Sequence, residues 1–202
     1  MERALTVLHA LGLMLMVFSI AYVMPVVTAV IYADAAVLMD FLVAMLWTGT
    51  LGLLLWLLTR RYKGELSIRH GYLLVVAMWT AMPAFATIPL MLVMPGMSFT
   101  DAYFETMSGL TTTGASVLVG LDNLPPAINL WRHELNWLGG LGIIVLAVAI
   151  LPLLGIGGRQ LFKAETPGPM KDSALTPRIA ETARNLWIVY LAITAVCIAA
   201  LK

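Results

Sequence analysis

The sequence predicts an all-α integral membrane protein, and three observations lead to this fold class. Of its 202 residues, 61% are apolar and 11% are charged, whereas soluble domains are about 45–50% apolar and about 25% charged. The mean hydropathy is +0.93, and the few charged residues cluster between long charge-free runs. This composition excludes a disordered tail, a disulfide-rich secreted domain and an ordinary cytosolic enzyme.

Five charge-free runs are long enough to cross a membrane, since a helix needs about 20 apolar residues to span the hydrocarbon core. They are Ala4–Ala33, Phe41–Thr59, Gly71–Thr100, Leu135–Gly158 and Asn185–Leu201. We expect Pro25 to kink or end the first helix near Met24. Pro83 and Pro89 fall inside the third run, where prolines are tolerated if neighbouring groups satisfy the freed carbonyls.

The basic residues predict the orientation of these spans. Ten of the twelve Lys and Arg residues fall on one side of the membrane if the five runs cross in alternation. That side is the cytoplasm, because short cytoplasmic loops are enriched in Lys and Arg. The N-terminus is therefore expected in the cytoplasm. Trp56, Trp131 and Trp187 lie near predicted span ends and are expected in the aromatic belt at the interface.

A sixth charge-free run, Thr106–Leu121, differs because it is rich in Thr and Gly. The residues around its start predict a short helix that Ser98 or Thr100 caps, with Asp101 in the first turn and an end near Gly109. Ten residues reach only about 15 Å, half a bilayer, so we expect a re-entrant half-helix. Its carboxylates, Asp101 and Glu105, are expected on the extracellular side, where they would concentrate cations.

The segment Thr111–Ala115, which follows this half-helix, is a candidate cation site. Non-helical backbone at membrane depth persists only where protein buries it or where it lines a watery cavity. A desolvated cation would supply the partner that its carbonyls lack, as in potassium filters, and Gly114 would allow the backbone to turn carbonyls inward. An ordinary extracellular connection remains the alternative at this point.

Two stretches resemble a known family. The stretch DAYFETMSGLTTTGA (101–115) resembles the first pore loop of the Trk/Ktr/HKT superfamily of potassium transporters. The later stretches WLGGLGIIVLAVAILPLLGIGGRQLFKAETPGP (137–169) and LTPRIAETARNLWIVYL (175–191) are similar to its TrkH branch in particular. The resemblance implies potassium uptake across the bacterial cytoplasmic (inner) membrane, with the potassium ion as cargo and no organic cofactor. The implied filter residues are Thr111, Thr112, Thr113, Gly114 and Ala115, with ion-contacting carbonyls chiefly from Thr112 and Thr113.

The resemblance also implies how the chain is divided. Residues 1–70 would form two accessory transmembrane helices, and residues 71–158 a first helix–pore–helix repeat of potassium-channel type. Residues 159–183 would form a cytoplasmic connector, and residues 184–202 the first helix of an incomplete second repeat. Because the family places four repeats in one chain, we expect a partial TrkH-type subunit that supplies one of four filter loops. Two alternatives stay open: a short subunit of a homotetrameric cation pore, and a truncated, non-transporting membrane protein.

Further expectations concern packing and partners. Gly139, Gly140 and Gly142 are expected either to let the fourth span pack against the filter loop or to serve ordinary helix packing. The expected partners are membrane lipid, a second copy of the full-length protein, and a cytosolic nucleotide-binding regulatory subunit of TrkA type. Arg159 and Lys163 on the connector are candidates for docking that subunit. The net charge of +1 suggests no nucleic-acid partner. An enzyme is not expected, because the sequence contains no nucleophile–base pair, metal-ligand cluster or cofactor motif.

Overall fold

The computed structural model describes residues 2–62, 68–153 and 175–200, and the regular secondary structure among these residues is helical. The helices are α1 (Glu2–Ser19), α2 (Val23–Ile31), α3 (Ala35–Thr59), α4 (Ile68–Val93), α5 (Phe99–Leu110), α6 (Pro126–Leu153) and α7 (Leu175–Ala200). Short 3-10 helices lie at Ile20–Tyr22 and Leu121–Asn123. The chain divides into two compact units, Met1–Trp137 and Leu138–Lys202. The predicted all-α class is confirmed for the described residues.

Four of the five predicted spans are helices that are long and apolar enough to cross a membrane. They are Ala4–Ile31, Ala35–Thr59, Arg69–Val93 and Glu181–Ala200. The remaining predicted span, Leu135–Gly158, begins within α6 and continues into residues outside the described ones. The full set of five spans therefore stays a prediction.

The first span is interrupted slightly earlier than Pro25 suggested. The 3-10 helix at Ile20–Tyr22 separates α1 from α2, and Pro25 itself lies within α2. A proline ring clashes with the carbonyl four residues before it and offers no N–H to that carbonyl. For Pro25 this carbonyl belongs to Ala21, which lies in the 3-10 helix, so the distortion precedes the proline.

Helix α4 continues through both Pro83 and Pro89, and at Pro89 a residue of the first span supplies the missing hydrogen bond. Pro89 leaves the carbonyl of Phe85 without its helical N–H donor, and the hydroxyl of Tyr22 donates to that carbonyl at 2.9 Å. At the next residue, the indole Nε1 of Trp131 donates to the carbonyl of Ala86 at 3.1 Å. The expectation that neighbouring groups satisfy freed carbonyls is confirmed here.

The placement of Trp131 in an interfacial belt is wrong. Its side chain is fully buried and stacks on Tyr22, with ring centroids 4.6 Å apart. Phe18 and Phe41 pack around the same pair, with centroids 6.0 and 6.1 Å from that of Trp131. A tryptophan whose N–H finds a buried acceptor is stable in a core, and the carbonyl of Ala86 in α4 is that acceptor.

Helices α1 and α3 cross at very short range. A Cβ atom added to Gly12 would lie 2.8 Å from the carbonyl oxygen of Gly52, and one added to Gly52 would lie 2.8 Å from that of Gly12. Small residues at such a crossing let membrane helices approach closely and pack by dispersion. The side chains buried on α3 recur every three or four residues for most of its length: Val37, Phe41, Ala44, Thr48, Gly52 and Thr59.

Candidate functional site

Helix α5 presents the candidate site at its C-terminal end. It begins after Ser98, whose Oγ accepts a hydrogen bond from the backbone N–H of Asp101 at 3.1 Å. Of the two predicted caps, Ser98 is therefore the one used, and Thr100 lies inside the helix. The helix ends at Leu110, one residue beyond the predicted end. Asp101 is exposed in the first turn, as predicted.

Helix α5 is held between α4 and α6. The Oγ1 of Thr106, which is fully buried, donates to the carbonyl of Pro83 in α4 at 2.9 Å. On the other side, a Cβ atom added to Gly109 would lie 3.0 Å from the Cβ of Leu135 in α6. The end of α5 therefore has little freedom to move, and the residues that follow start from a fixed position.

The backbone N–H groups of the candidate filter turn back onto the end of α5. Thr112 N–H donates to the carbonyl of Gly109 at 2.8 Å, and Thr113 N–H donates to that of Ser108 at 2.9 Å. Gly114 N–H also donates to the carbonyl of Ser108, at 3.4 Å. These bonds occupy carbonyls at the helix terminus that would otherwise be unsatisfied.

As a result, the carbonyls of Thr111, Thr112 and Thr113 point away from α5. In a trans peptide the C=O of one residue is opposed to the N–H of the next, and no peptide bond among the described residues is cis. Within the described part of the chain these three carbonyl oxygens accept no hydrogen bond. A row of unpaired carbonyls is the chemistry that replaces the water shell of a potassium ion.

Two residues of this segment have a left-handed backbone conformation. Gly114 has φ of +73°, as the role proposed for a glycine there requires. Thr112 has φ of +57°, which is uncommon for a β-branched residue. Such strain persists only where the surrounding structure enforces it and is concentrated at functional sites.

The filter side chains stand on an open face of this unit. Residues Thr112, Thr113, Gly114 and Ala115 are exposed, and the hydroxyls of Thr111 and Thr113 lie 2.9 Å apart. A groove of about 380 Å³ runs beside them, lined by Thr100, Tyr103, Phe104, Met107, Ser108, Thr111 and Thr113. The residues of the predicted filter are thus brought together, with one side uncovered.

Glu105 does not lie where the sequence suggested. Its side chain is 3% exposed and forms an ion pair with Arg132, whose Nε lies 2.6 Å from Oε1 of the carboxylate. The expectation that Glu105 attracts cations from outside is therefore wrong, because its charge is buried and balanced. The physical reason is that a carboxylate on the inner face of α5 must find a cation when it leaves water.

The three glycines of α6 differ in their surroundings. A Cβ atom added to Gly140 would lie 2.7 Å from the hydroxyl oxygen of Tyr190 in α7, so at this position the small residue accommodates helix packing. Gly139 is buried and Gly142 is exposed, and their packing against the filter loop stays a prediction. Arg159 and Lys163 lie outside the described residues.

Three residues near the filter escaped sequence reasoning: Ser108, Ser116 and Arg132. Ser108 Oγ donates to the carbonyl of Ala115 at 2.7 Å, and Ser116 Oγ lies 3.1 Å from Nη2 of Arg132. One signal was available, since Arg132 is the sole Lys or Arg between Arg69 and Arg159. An isolated cation in an apolar stretch calls for a nearby carboxylate.

Comparison with known proteins gives consistent results. The family TrkH, described as cation transport protein, matches residues 37–202. The Trk system potassium uptake proteins TrkH of Salmonella typhimurium and Escherichia coli are 49% and 48% identical to the chain, each over 98% of this chain and 41% of the relative. The crystal structure of the potassium transporter TrkH from Vibrio parahaemolyticus is similar, with a TM-score of 0.79 and 44% identity. That match covers 95% of this chain and 38% of the other. The chain thus spans about two fifths of the length of these relatives.

Proposed function

Because the chain belongs to the TrkH family of cation transport proteins, we propose that it supplies one of the four filter loops of a potassium uptake protein. The proposed cellular location is the bacterial cytoplasmic (inner) membrane, in keeping with the four helices that are long and apolar enough to span one. The names of the relatives point to potassium as the transported ion.

The observation that carries this proposal is the set of carbonyls at Thr111, Thr112 and Thr113 that accept no hydrogen bond from the residues that the structure describes. Their N–H neighbours are bound to the end of α5, so the oxygens remain available to a dehydrated cation. One loop offers oxygens from one side, and four loops around an axis enclose the ion. Ala115 completes the loop, and the membrane potential draws the cation inward with about 2.3 kcal/mol per 100 mV.

The proposed arrangement in the membrane has five spans with α5 as a re-entrant pore helix. The 12 residues of α5 measure about 18 Å at 1.5 Å per residue, which is too short to cross. The N-terminus lies in the cytoplasm in this arrangement, and residues 71–158 form the first helix–pore–helix repeat. The resemblance supports the same division, with the accessory pair before this repeat.

The proposed partners follow from the family. They are membrane lipid, a second copy of the full-length protein, and a cytosolic nucleotide-binding regulatory subunit of TrkA type. Arg159 and Lys163, in the basic connector, are proposed to contribute to docking of that subunit. Neutralising both charges in the full-length protein tests this point, because unchanged binding of the regulatory subunit would contradict it.

The filter proposal is tested by comparing two glycines. Gly114 and Gly96 both have positive φ, +73° and +105°, and a Cβ atom at either position would meet nothing within 4 Å. In the intact protein, Gly114→Asp is expected to abolish rubidium uptake by bacteria that lack their own potassium uptake systems. Gly96→Asp imposes the same backbone and charge change outside the loop and is expected to leave most uptake intact. Normal uptake by Gly114→Asp would refute the proposal.

A symmetric pore made of four copies of this chain is the second candidate, because the filter residues are exposed on a single copy. A closed tetramer would cover them with three identical loops. Rubidium uptake by cells that express only these 202 residues, together with a tetramer on cross-linking, would support this assembly. No uptake despite membrane insertion would instead mean that other repeats must complete the pore.

A further inference from the structure

A buried charged pair contacts the segment that follows the filter loop. Nε of Arg132 in α6 donates to Oε1 of Glu105 in α5 at 2.6 Å, and the two side chains are 12% and 3% exposed. Burying two charges is costly unless further hydrogen bonds satisfy them. The groups that form those further hydrogen bonds indicate the role of the pair.

The remaining hydrogen bonds of the pair go to the segment that leaves the filter. Ser116 Oγ lies 3.0 Å from each carboxylate oxygen of Glu105, and Val117 N–H donates to Oε2 at 3.1 Å. Arg132 adds a bond of 3.1 Å from Nη2 to Ser116 Oγ. The pair therefore holds both the side chain and the backbone of this segment.

The other end of the loop is held by α5 itself. The N–H groups of Thr112 and Thr113 bind carbonyls at the end of α5, and Ser108 Oγ holds the carbonyl of Ala115 at 2.7 Å. The loop is thus fixed before and after the three free carbonyls of Thr111, Thr112 and Thr113. Their positions depend on both anchors.

We propose that Glu105 and Arg132 are positioning residues that set the spacing of the filter carbonyls, and with it the preference for potassium over sodium. This inference rests on the proposed function. The pair carries no net charge, so it adds little attraction for cations, and its effect is exerted through geometry. A carbonyl site distinguishes two cations of equal charge by cavity size and by the number and field of its oxygens, and a loosely supported site loses that distinction.

The test uses the intact protein in bacteria that lack other potassium uptake systems. Glu105→Gln keeps the shape of the side chain and its contact with Ser116 but removes the charge. It is expected to lower the ratio of rubidium to sodium uptake by about tenfold, because the supporting shell of the site is weakened. Arg132→Lys keeps the charge but not the two-point contact, so a smaller fall is expected.

Asp122→Asn is the matched control. It removes the same charge from an exposed position in the same extracellular connection, and it is expected to leave the ratio unchanged. Immunoblots of membranes show whether each variant accumulates. A merely structural role would lower abundance without changing the ratio of rubidium to sodium uptake. An unchanged ratio in Glu105→Gln would overturn the proposal. If that variant fails to accumulate, an unchanged ratio in Arg132→Lys would overturn it instead.

Deuterium exchange of the purified protein provides a second readout that does not require transport. Exchange over residues 111–118 is expected to be faster in Glu105→Gln than in the Asp122→Asn control. Equal exchange in the two would overturn the positioning role even if the ratio changed. Absence of uptake by the unmodified protein would instead contradict the proposed function. In that case, faster exchange in Glu105→Gln would still support the anchoring of the loop by the pair, but the link between the pair and selectivity would be lost.

Discussion

At the scale of single residues, Tyr22 shows how one side chain joins the first span to α4 and α6. Its ring is fully buried and stacks on Trp131, while its hydroxyl serves the Phe85 carbonyl that Pro89 leaves without a helical partner. Thr48 of α3 approaches the same hydroxyl at 3.4 Å. One residue thereby contacts three other helices: α3, α4 and α6.

Removing this hydroxyl is expected to destabilise the protein. Tyr22→Phe keeps the stacked ring but leaves the Phe85 carbonyl buried without a donor, at a cost of about 1–2 kcal/mol. Thermal unfolding of the detergent-solubilised protein would measure the change. Tyr32→Phe is the control, since Tyr32 is 63% exposed and its hydroxyl is accessible to solvent or headgroups. Equal unfolding temperatures for the two variants would contradict the role assigned to Tyr22.

At the scale of elements, α4 depends on hydrogen bonds from other elements that satisfy its carbonyls. Helix α4 carries two prolines, and its carbonyls accept hydrogen bonds from Tyr22 in the 3-10 helix of the first span, Thr106 in α5 and Trp131 in α6. The first span therefore stabilises α4 through a hydrogen bond as well as packing against it. The crossing of α1 and α3 relies on close backbone approach rather than on large side chains.

A methyl group at this crossing is expected to force α1 and α3 apart. Gly52→Ala places a Cβ atom 2.8 Å from backbone atoms of Gly12 and Met16, and overpacking of this kind costs about 1–3 kcal/mol. The measurement is again the unfolding temperature in detergent. Gly71→Ala makes the same substitution in α4 where nothing lies within 4 Å, so it is expected to be neutral or stabilising. Were both variants equally stable, the close crossing would not limit packing.

At the scale of the whole molecule, the distribution of basic residues predicts the orientation of the spans in the membrane, and labelling of introduced cysteines tests this prediction. On a Cys197→Ser background, Val119→Cys is expected to react with a membrane-impermeant thiol reagent added to intact cells, since Val119 is 94% exposed and lies in the connection that the proposed topology places outside the cell. Arg61→Cys, in the basic loop after α3, is expected to react only after permeabilisation. The reverse pattern would place the N-terminus outside and contradict the proposed topology.

Part of the site could be predicted from local sequence. Three features follow from neighbouring residues, because capping and backbone freedom are local properties. They are the cap at Ser98, the short length of α5 and the positive φ of Gly114. The positive φ of Thr112 could not be predicted, since a threonine avoids that region unless tertiary contacts impose it. The burial of Glu105 had one signal in the sequence, the isolated Arg132, but the pairing itself could not be predicted, because Arg132 lies 27 residues further along the chain.

The sequence by itself determined the all-helical class, four spans and the family, because the entry of a helix into lipid depends on the composition of one contiguous stretch. Only the tertiary structure decided that Trp131 belongs to a core, that Glu105 is paired, and that the carbonyls of Thr111, Thr112 and Thr113 are left free. These features depend on contacts between residues far apart in the chain, such as the 63 positions that separate Tyr22 from Phe85. Packing brings such groups together, and the burial that packing creates makes each polar group seek a partner.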